Sequence, residues 1–411
     1  MDSVMNNPRL RVVPVPVEVE GRKMLLFQDP ERITEQTVLM PVEAAAIVQF
    51  FDGTKSIKDI QQEIMKASGQ LIDSTLIQQI VDQLDEHLLL DSPRLHEHMR
   101  TLHEKWAQSE TRPTSHAGAS YPEEKDELVK FLDAFYTDEK GPGAMPGETV
   151  ADDLKGIIAP HMDIMDSGAT TAHAFKTVAE RTEAKLFVIF GTAHMEERRV
   201  FIMSDKDFET PLGVAKTDRD LVESVKRKMS NKNPINDYIH KDEHSIEFMV
   251  VFLQHLFAGK RDFRILPVLV DGISPSIITG EPPEKEPEFR DFMGALKSAL
   301  DERGEKHCVI AGADLAHLGP RYGDKEGWAP IRMKEEEETD MDMLSPLLSG
   351  DRDGFFHKVA DIRDKRRVCG LSPIYAAMHA TGAARSDLLR WSYWYDSQTR
   401  SVVSYASMAL Y

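Results

Sequence analysis

At 411 residues the chain exceeds the size at which one hydrophobic core keeps growing, so it reads as two domains or as one large domain with an appendage. Hydrophobic residues make up 41% and charged residues 29%, ordinary globular usage that excludes global disorder. The formal net charge of -19 excludes a broad nucleic-acid or anionic-membrane surface, because such contacts rest on clustered Lys and Arg.

The chain holds no apolar run of about 18 residues, the length a bilayer crossing needs. Its N-terminus, MDSVMNNPRLRVV, lacks the charged-then-apolar pattern of a signal peptide. These features predict a soluble, cytoplasmic protein. Cys308 and Cys369 are the only cysteines, too few for a disulfide framework.

In chain order, RLRVVPVPVEVEG and RKMLLFQDP predict strands joined near Gly21. A helix is expected over 41–51, where helix formers carry an apolar stripe that stops at the turn signal Asp52-Gly53. A second helix opens at Ser56 as N-cap and closes before Gly69. A third, over 74–87, places Leu76, Ile77, Ile80, Val81 and Leu84 on one face. Residues 93–112 read as a polar connecting helix, and the spacing of His96, His98 and His103 fits no metal motif.

Beyond this point short, nearly continuous apolar runs (155–160, 184–191, 263–270 and 306–314) alternate with helical stretches (169–180, 218–229, 245–257 and 287–302). That pattern predicts an α/β domain with a largely parallel sheet covered by helices on both faces. The Pro- and Glu-rich GEPPEKEPE reads as a loop.

Ligand crevices in open α/β sheets lie outside the carboxyl ends of the strands. Here His161, His194, Asp314 and His317 each follow a predicted strand, and His244 stands where a helix begins. One such histidine is ordinarily a loop or capping residue, but their repetition points to a convergent site. Imidazole suits zinc, copper and iron, and a site completed by thiolate or carboxylate leaves positions open. Cys369 precedes an apolar helix, a position that biases a thiol toward thiolate, and it reads either as a ligand or nucleophile or as a small buried hydrophobe. Cys308, inside an apolar strand, reads as core. Asp314 and His317 are candidate orienters or an acid/base pair. Glu243 and Glu247 flank His244 as orienters or, for Asp242 and Glu243, as helix caps.

Two resemblances follow from these residues. Ala45-Ala46-Ile47 through Phe51-Asp52-Gly53, Ser56-Ile57-Lys58-Asp59-Ile60 and the closing stretch 84–90 resemble the PqqD-like family, a winged-helix peptide-recognition element. The region from Ser115 onward resembles the Memo family, protein B of the AmmeMemoRadiSam gene set. It does so through Ser115-His116-Ala117-Gly118 with Tyr121, Ile158-Ala159-Pro160-His161, Gly191 through His194, Glu243-His244-Ser245-Ile246-Glu247, Pro267-Val268-Leu269-Val270, Asp314 with His317 and Gly319, Cys369-Gly370, and Val403-Ser404-Tyr405-Ala406.

The second resemblance implies a fold similar to LigB-type non-haem iron dioxygenases and a mononuclear metal held by two histidines and a cysteine, here His161, His194 and Cys369, with iron or copper expected and zinc the alternative. His244, Asp314 and His317 then line the cleft as catalytic candidates. Met162-Asp163-Ile164 and Met195 depart from the family's pattern, and Asp163 is a further candidate for the metal's first shell. The domains implied are a PqqD-like winged-helix unit at 1–92, a linker helix at 93–112 and a Memo-like metal-binding α/β domain at 113–411. The expected function is a metal-dependent redox protein or oxygenase-like enzyme acting on a small molecule or peptide, with a radical-SAM partner. The alternatives are a non-catalytic metal- or peptide-binding scaffold and a zinc-type hydrolase.

Overall fold

The structure, a computed structural model, describes residues 7–29, 33–34, 36–69, 71–195, 199–232 and 236–411. The chain divides into two compact units, Met1–Ser109 and Glu110–Tyr411.

In the first unit, β1 (Val15–Val19), β2 (Arg22–Phe27) and β3 (Val38–Pro41) form an antiparallel sheet in that order. The helix expected over 41–51 is only partly present, because β3 occupies its start and helical structure is limited to a 3-10 turn at Val42–Ala44 and α1 (Ala45–Val48). Pro41 sits at φ -55 and ψ 146, extended backbone that ends the strand, and the strand buries Val38 and Met40 against the core.

The next helix matches its expected caps. In α2 (Ile57–Ser68) the Ser56 hydroxyl accepts from Asp59 N–H while the Asp59 carboxylate accepts from Ser56 N–H, and Gly69 closes the helix at φ 70. Helices α3 (Ser74–Glu86) and α4 (Pro93–Gln108) follow. Phe27, Ile60, Ile77, Leu84 and Leu89 form the core.

The second unit runs β4 (Thr111–Arg112), α5 (Lys125–Thr137), β5 (Gly156–Ala159), α6 (Ile164–Arg181), β6 (Leu186–Thr192), β7 (Phe201–Met203), β8 (Asp207–Thr210), β9 (Gly213–Thr217), α7 (Arg219–Lys228), α8 (His244–Phe257), β10 (Arg264–Val270), α9 (Ser274–Thr279), α10 (Pro287–Arg303), β11 (His307–Gly312), β12 (His317–Leu318), α11 (Met333–Leu348), α12 (Arg352–Ala360), α13 (Leu371–Thr381), β13 (Ser386–Asp396) and β14 (Ser401–Leu410). GEPPEKEPE holds a 3-10 turn, Pro283–Lys285, and the first residues of α10.

One sheet orders these strands β13-β14-β5-β11-β6-β10-β9-β8-β4, with β12 also beside β14 and β7 beside β10. The central ladders, β5 to β11, β11 to β6, β6 to β10 and β10 to β9, are parallel. Antiparallel pairing joins β14 to β5, β12 and β13, β8 to β9, and β7 to β10. Along β6, Val188 and Phe190 enter the core beneath α7, α10 and α13, whereas Phe187 and Ile189 enter the one beneath α5, α6 and α8. The architecture is therefore the expected α/β sheet with helices on both faces. No helix among the described residues is long and apolar enough to cross a membrane.

Candidate metal centre

The parallel strands β5, β6 and β11 end side by side, and their carboxyl ends deliver His161, His194 and Asp314. Close approach at this edge depends on glycine. A Cβ on Gly191 would meet Ser245 Oγ at 2.5 Å, and one on Gly312 would meet the Ser245 carbonyl oxygen at 2.4 Å. With neither present, α8 settles onto the strand ends, Ser245 Oγ donates to the Thr192 carbonyl at 2.8 Å, and Glu243 and His244 enter the site. Gly370 serves the same purpose behind Cys369, because its Cβ would lie 2.2 Å from the Asp314 carbonyl oxygen.

His161 is 1% exposed. Its Nδ1 lies 2.8 Å from the Gly312 carbonyl, an acceptor only, so Nδ1 carries the proton and Nε2 has its lone pair free. Nε2 is 3.3 Å from Cys369 Sγ and 3.5 Å from Asp314 Oδ2. Burial, reinforced by the nearby His194, pushes the His161 pKa down to about 3, so the ring is neutral.

His194 is set by Glu243, which accepts from the His194 backbone N–H at 2.9 Å and lies 3.0 Å from its Nδ1. Burial alone would lower the His194 pKa and raise that of Glu243. The hydrogen bonds and opposite charges between them outweigh it, raising His194 and holding Glu243 well below the usual carboxylate range. A histidine whose Nδ1 is bound to a carboxylate presents Nε2 to a metal. The Cys369 thiol is raised well above its ordinary pKa, first by burial and then by Asp314, so the helix-terminal bias toward thiolate expected from sequence is overridden while no cation is present.

The described residues offer three groups whose ligand atoms lie within 4.8 Å of one another: His161, His194 and Cys369; His194, Glu243 and His244; and Asp314, His317 and Cys369. The first fits a metal best on its chemistry, since both imidazoles have a fixed tautomer and the thiol can lose its proton to a cation.

The other candidates border this group. His244 stacks on His194 at 4.8 Å between ring centroids, and burial pushes its pKa down to about 3. Burial pushes Asp314 up to about 6 even though its Oδ1 accepts from the backbone N–H groups of His161 and Met162. His317 Nδ1 lies between the Leu315 and Arg367 carbonyls at 3.2 and 3.1 Å, leaving Nε2 unengaged by those bonds. Burial lowers its pKa.

Asp163 does not join these groups, because its carboxylate accepts from Met165 N–H at 3.0 Å and caps α6. Cys308 is core, fully buried with its thiol pushed up to about 12. None of His96, His98 and His103 belongs to a ligand group among the described residues.

Glu243 does more than the capping foreseen as one of its readings. It caps α8 through Ser245 N–H at 3.0 Å and orients His194 at the same time. A second buried device carries no local signal in the sequence. Arg112 forms an ion pair with Glu247, both side chains being 0% exposed. It also donates to the carbonyls of His240 and Glu243 at 2.8 and 2.9 Å. Glu247 further accepts from Tyr121 OH and from Ser115 Oγ. The turn that carries Glu243 and His244 is thereby tied to the first strand of the unit.

A family profile described as Memo-like protein matches residues 112–409. A MEMO1 family protein of Aquifex aeolicus is 26% identical over 396 residues, covering 94% of this chain and 96% of its own. Relatives from Pyrococcus furiosus and Methanothermobacter thermautotrophicus are 29% and 28% identical, cover 72% and 71% of this chain, and are themselves covered over 97% and 98%. The Aquifex relative thus extends over more of this chain than the two archaeal ones. With most of its length matched by that profile, the chain belongs to the Memo-like protein family.

Proposed function

We propose that His161, His194 and Cys369 bind one iron or copper ion, and that the chain is a metal-dependent redox protein or oxygenase-like enzyme acting on a small molecule or peptide. The observation that supports this reading is the approach of His161 Nε2 to Cys369 Sγ at 3.3 Å, with Nδ1 held by the Gly312 carbonyl. When bound, the metal would supply open coordination positions and a route for electrons.

The chain's own residues do the rest. Glu243 orients His194, and the Gly312 carbonyl orients His161. Asp314, with a pKa near 6, holds or releases a proton close to neutrality within 3.5 Å of His161 Nε2. His244 and His317 are neutral bases at the margin of the group. In this reading the first unit, through its PqqD-like residues, recognises a peptide, and a radical-SAM protein is the partner class.

Metal analysis of protein purified without oxygen tests the site. One iron or copper per chain is expected, lost in His161→Ala and in Cys369→Ala, and full occupancy surviving both substitutions overturns the assignment. Oxygen uptake after anaerobic loading with candidate substrates tests catalysis, and persistent absence of turnover would place the chain among binding proteins.

A further inference from the structure

The sheet of the second unit ends on one side in the two-residue strand β4 and on the other in β13, an eleven-residue strand that, among the described residues, ladders with β14 alone. The contrast in burial is sharp. Every residue of β14 is buried, whereas in β13 only Ser386 is. A long edge strand offers unpaired backbone N–H and C=O groups to another chain, and soluble proteins blunt such edges with lysine, proline or bulges.

The protection on β13 is confined to its start. A register shift between Leu388 and Arg390 makes Leu389 a bulge, and beyond it residues 390–396 pair with β14 without a break. That segment, Arg390-Trp391-Ser392-Tyr393-Trp394-Tyr395-Asp396, has no lysine and no proline and carries four aromatic residues. Arg390 is exposed and takes part in no ion pair among the described residues, and Tyr393 is 39% exposed.

The same segment is complementary to itself. Antiparallel pairing about a two-fold axis at Tyr393 sets Arg390 opposite the second copy's Asp396 and Asp396 opposite the second copy's Arg390. It also sets Trp391 opposite Tyr395, Ser392 opposite Trp394, and Tyr393 opposite its own equivalent. The only charged residues of the segment are thereby matched at both ends, on the strand face shared by residues 390, 392, 394 and 396, and aromatic pairs fill the opposite face. Isologous pairing of this kind is the commonest form of homo-oligomer contact.

We infer that β13 is a dimerisation edge, pairing antiparallel with β13 of a second copy about Tyr393 and joining two sheets into one. Sedimentation of the full chain over a concentration series tests this, with a monomer–dimer equilibrium expected. Arg390→Asp, an exposed position, is expected to weaken the dimer at least tenfold. Tyr393→Pro, which removes a backbone donor, is expected to abolish it in protein whose circular dichroism is unchanged. Register is read in a Cys369→Ser background, leaving Cys308 buried in the core. Oxidised Tyr393→Cys should form an interchain disulfide, because equivalent residues at the axis face each other, and Arg390→Cys should not. A chain that stays monomeric throughout, including one that captures an extended peptide on this edge instead, overturns the inference. So does a dimer indifferent to Arg390→Asp and Tyr393→Pro, or equal cross-linking through both cysteines.

Discussion

Replacing Glu243 by glutamine tests how far the orientation of His194 sets metal affinity. The carboxylate takes three bonds: His194 N–H at 2.9 Å, His194 Nδ1 at 3.0 Å and Ser245 N–H at 3.0 Å. A glutamine of the same shape keeps one acceptor oxygen. Its NH2 must then face one of those donors, and the charge that favours the Nδ1–H tautomer of His194 is gone. Loss of such an orienting partner costs 10–100-fold in metal affinity in other centres, or about 1.4–2.8 kcal/mol. The remaining acceptor also weakens the cap on α8, worth about 1 kcal/mol of folding stability. Anaerobic competition against a chromophoric chelator measures the affinity, and thermal unfolding measures the stability. A folded Glu243→Gln protein binding metal within about threefold of wild type would show that His194 needs no orienting carboxylate.

Other perturbations separate packing from charge. Gly370→Ala forces a Cβ to within 2.2 Å of the Asp314 carbonyl, so a loss of about 1–3 kcal/mol in denaturant unfolding is expected together with weaker metal binding. Arg366 pairs with Glu336 and Asp340, which are 1% and 0% exposed. Arg366→Met leaves both carboxylates buried without their cation, and chemical denaturation should show a loss of about 3–5 kcal/mol. Glu247 supplies a pH signature. Burial would raise its pKa, but Arg112 and the Tyr121 hydroxyl outweigh burial and hold it at about 2, against 4.5 for the free side chain. Its contribution is therefore complete above pH 4.5 and is lost as pH falls toward 2. The gap is worth about 3 kcal/mol. Acid titration of stability should be shallower across that window in Glu247→Gln, and an unchanged slope would contradict the assignment.

Much of the second unit was legible because its signals are local. Strands buried on both faces read as continuous Val- and Ile-rich runs, and the residues following β5, β6 and β11 fall at the strand ends where binding crevices form. His161, His194 and Asp314 were found that way, and Cys369 stood out only through its family resemblance. Glu243 was visible as a helix cap or an orienter beside His244, yet the histidine it orients through Nδ1 is His194, far away in sequence. Arg112 carried no local signal. It stands at the end of a polar stretch, and its partner Glu247 lies on α8, so nothing short of the fold brings them together. The expected helix over 41–51 is only partly present, as a 3-10 turn and a short helix over 42–48, because Pro41 in extended backbone closes β3 and delays its start. Asp163 looked like a ligand beside His161, but α6 begins immediately after it and takes the carboxylate as its cap.

X-ray absorption at the metal edge of iron- or copper-loaded, oxygen-free protein tests whether Cys369 and the two histidines hold the ion together. A sulfur scatterer at about 2.3 Å, a typical metal–thiolate distance, is expected. Imidazole nitrogens are expected in the same shell, with the sulfur lost in Cys369→Ser. A first shell of nitrogen and oxygen alone, unchanged by that substitution, would place the metal away from Cys369 and contradict the account.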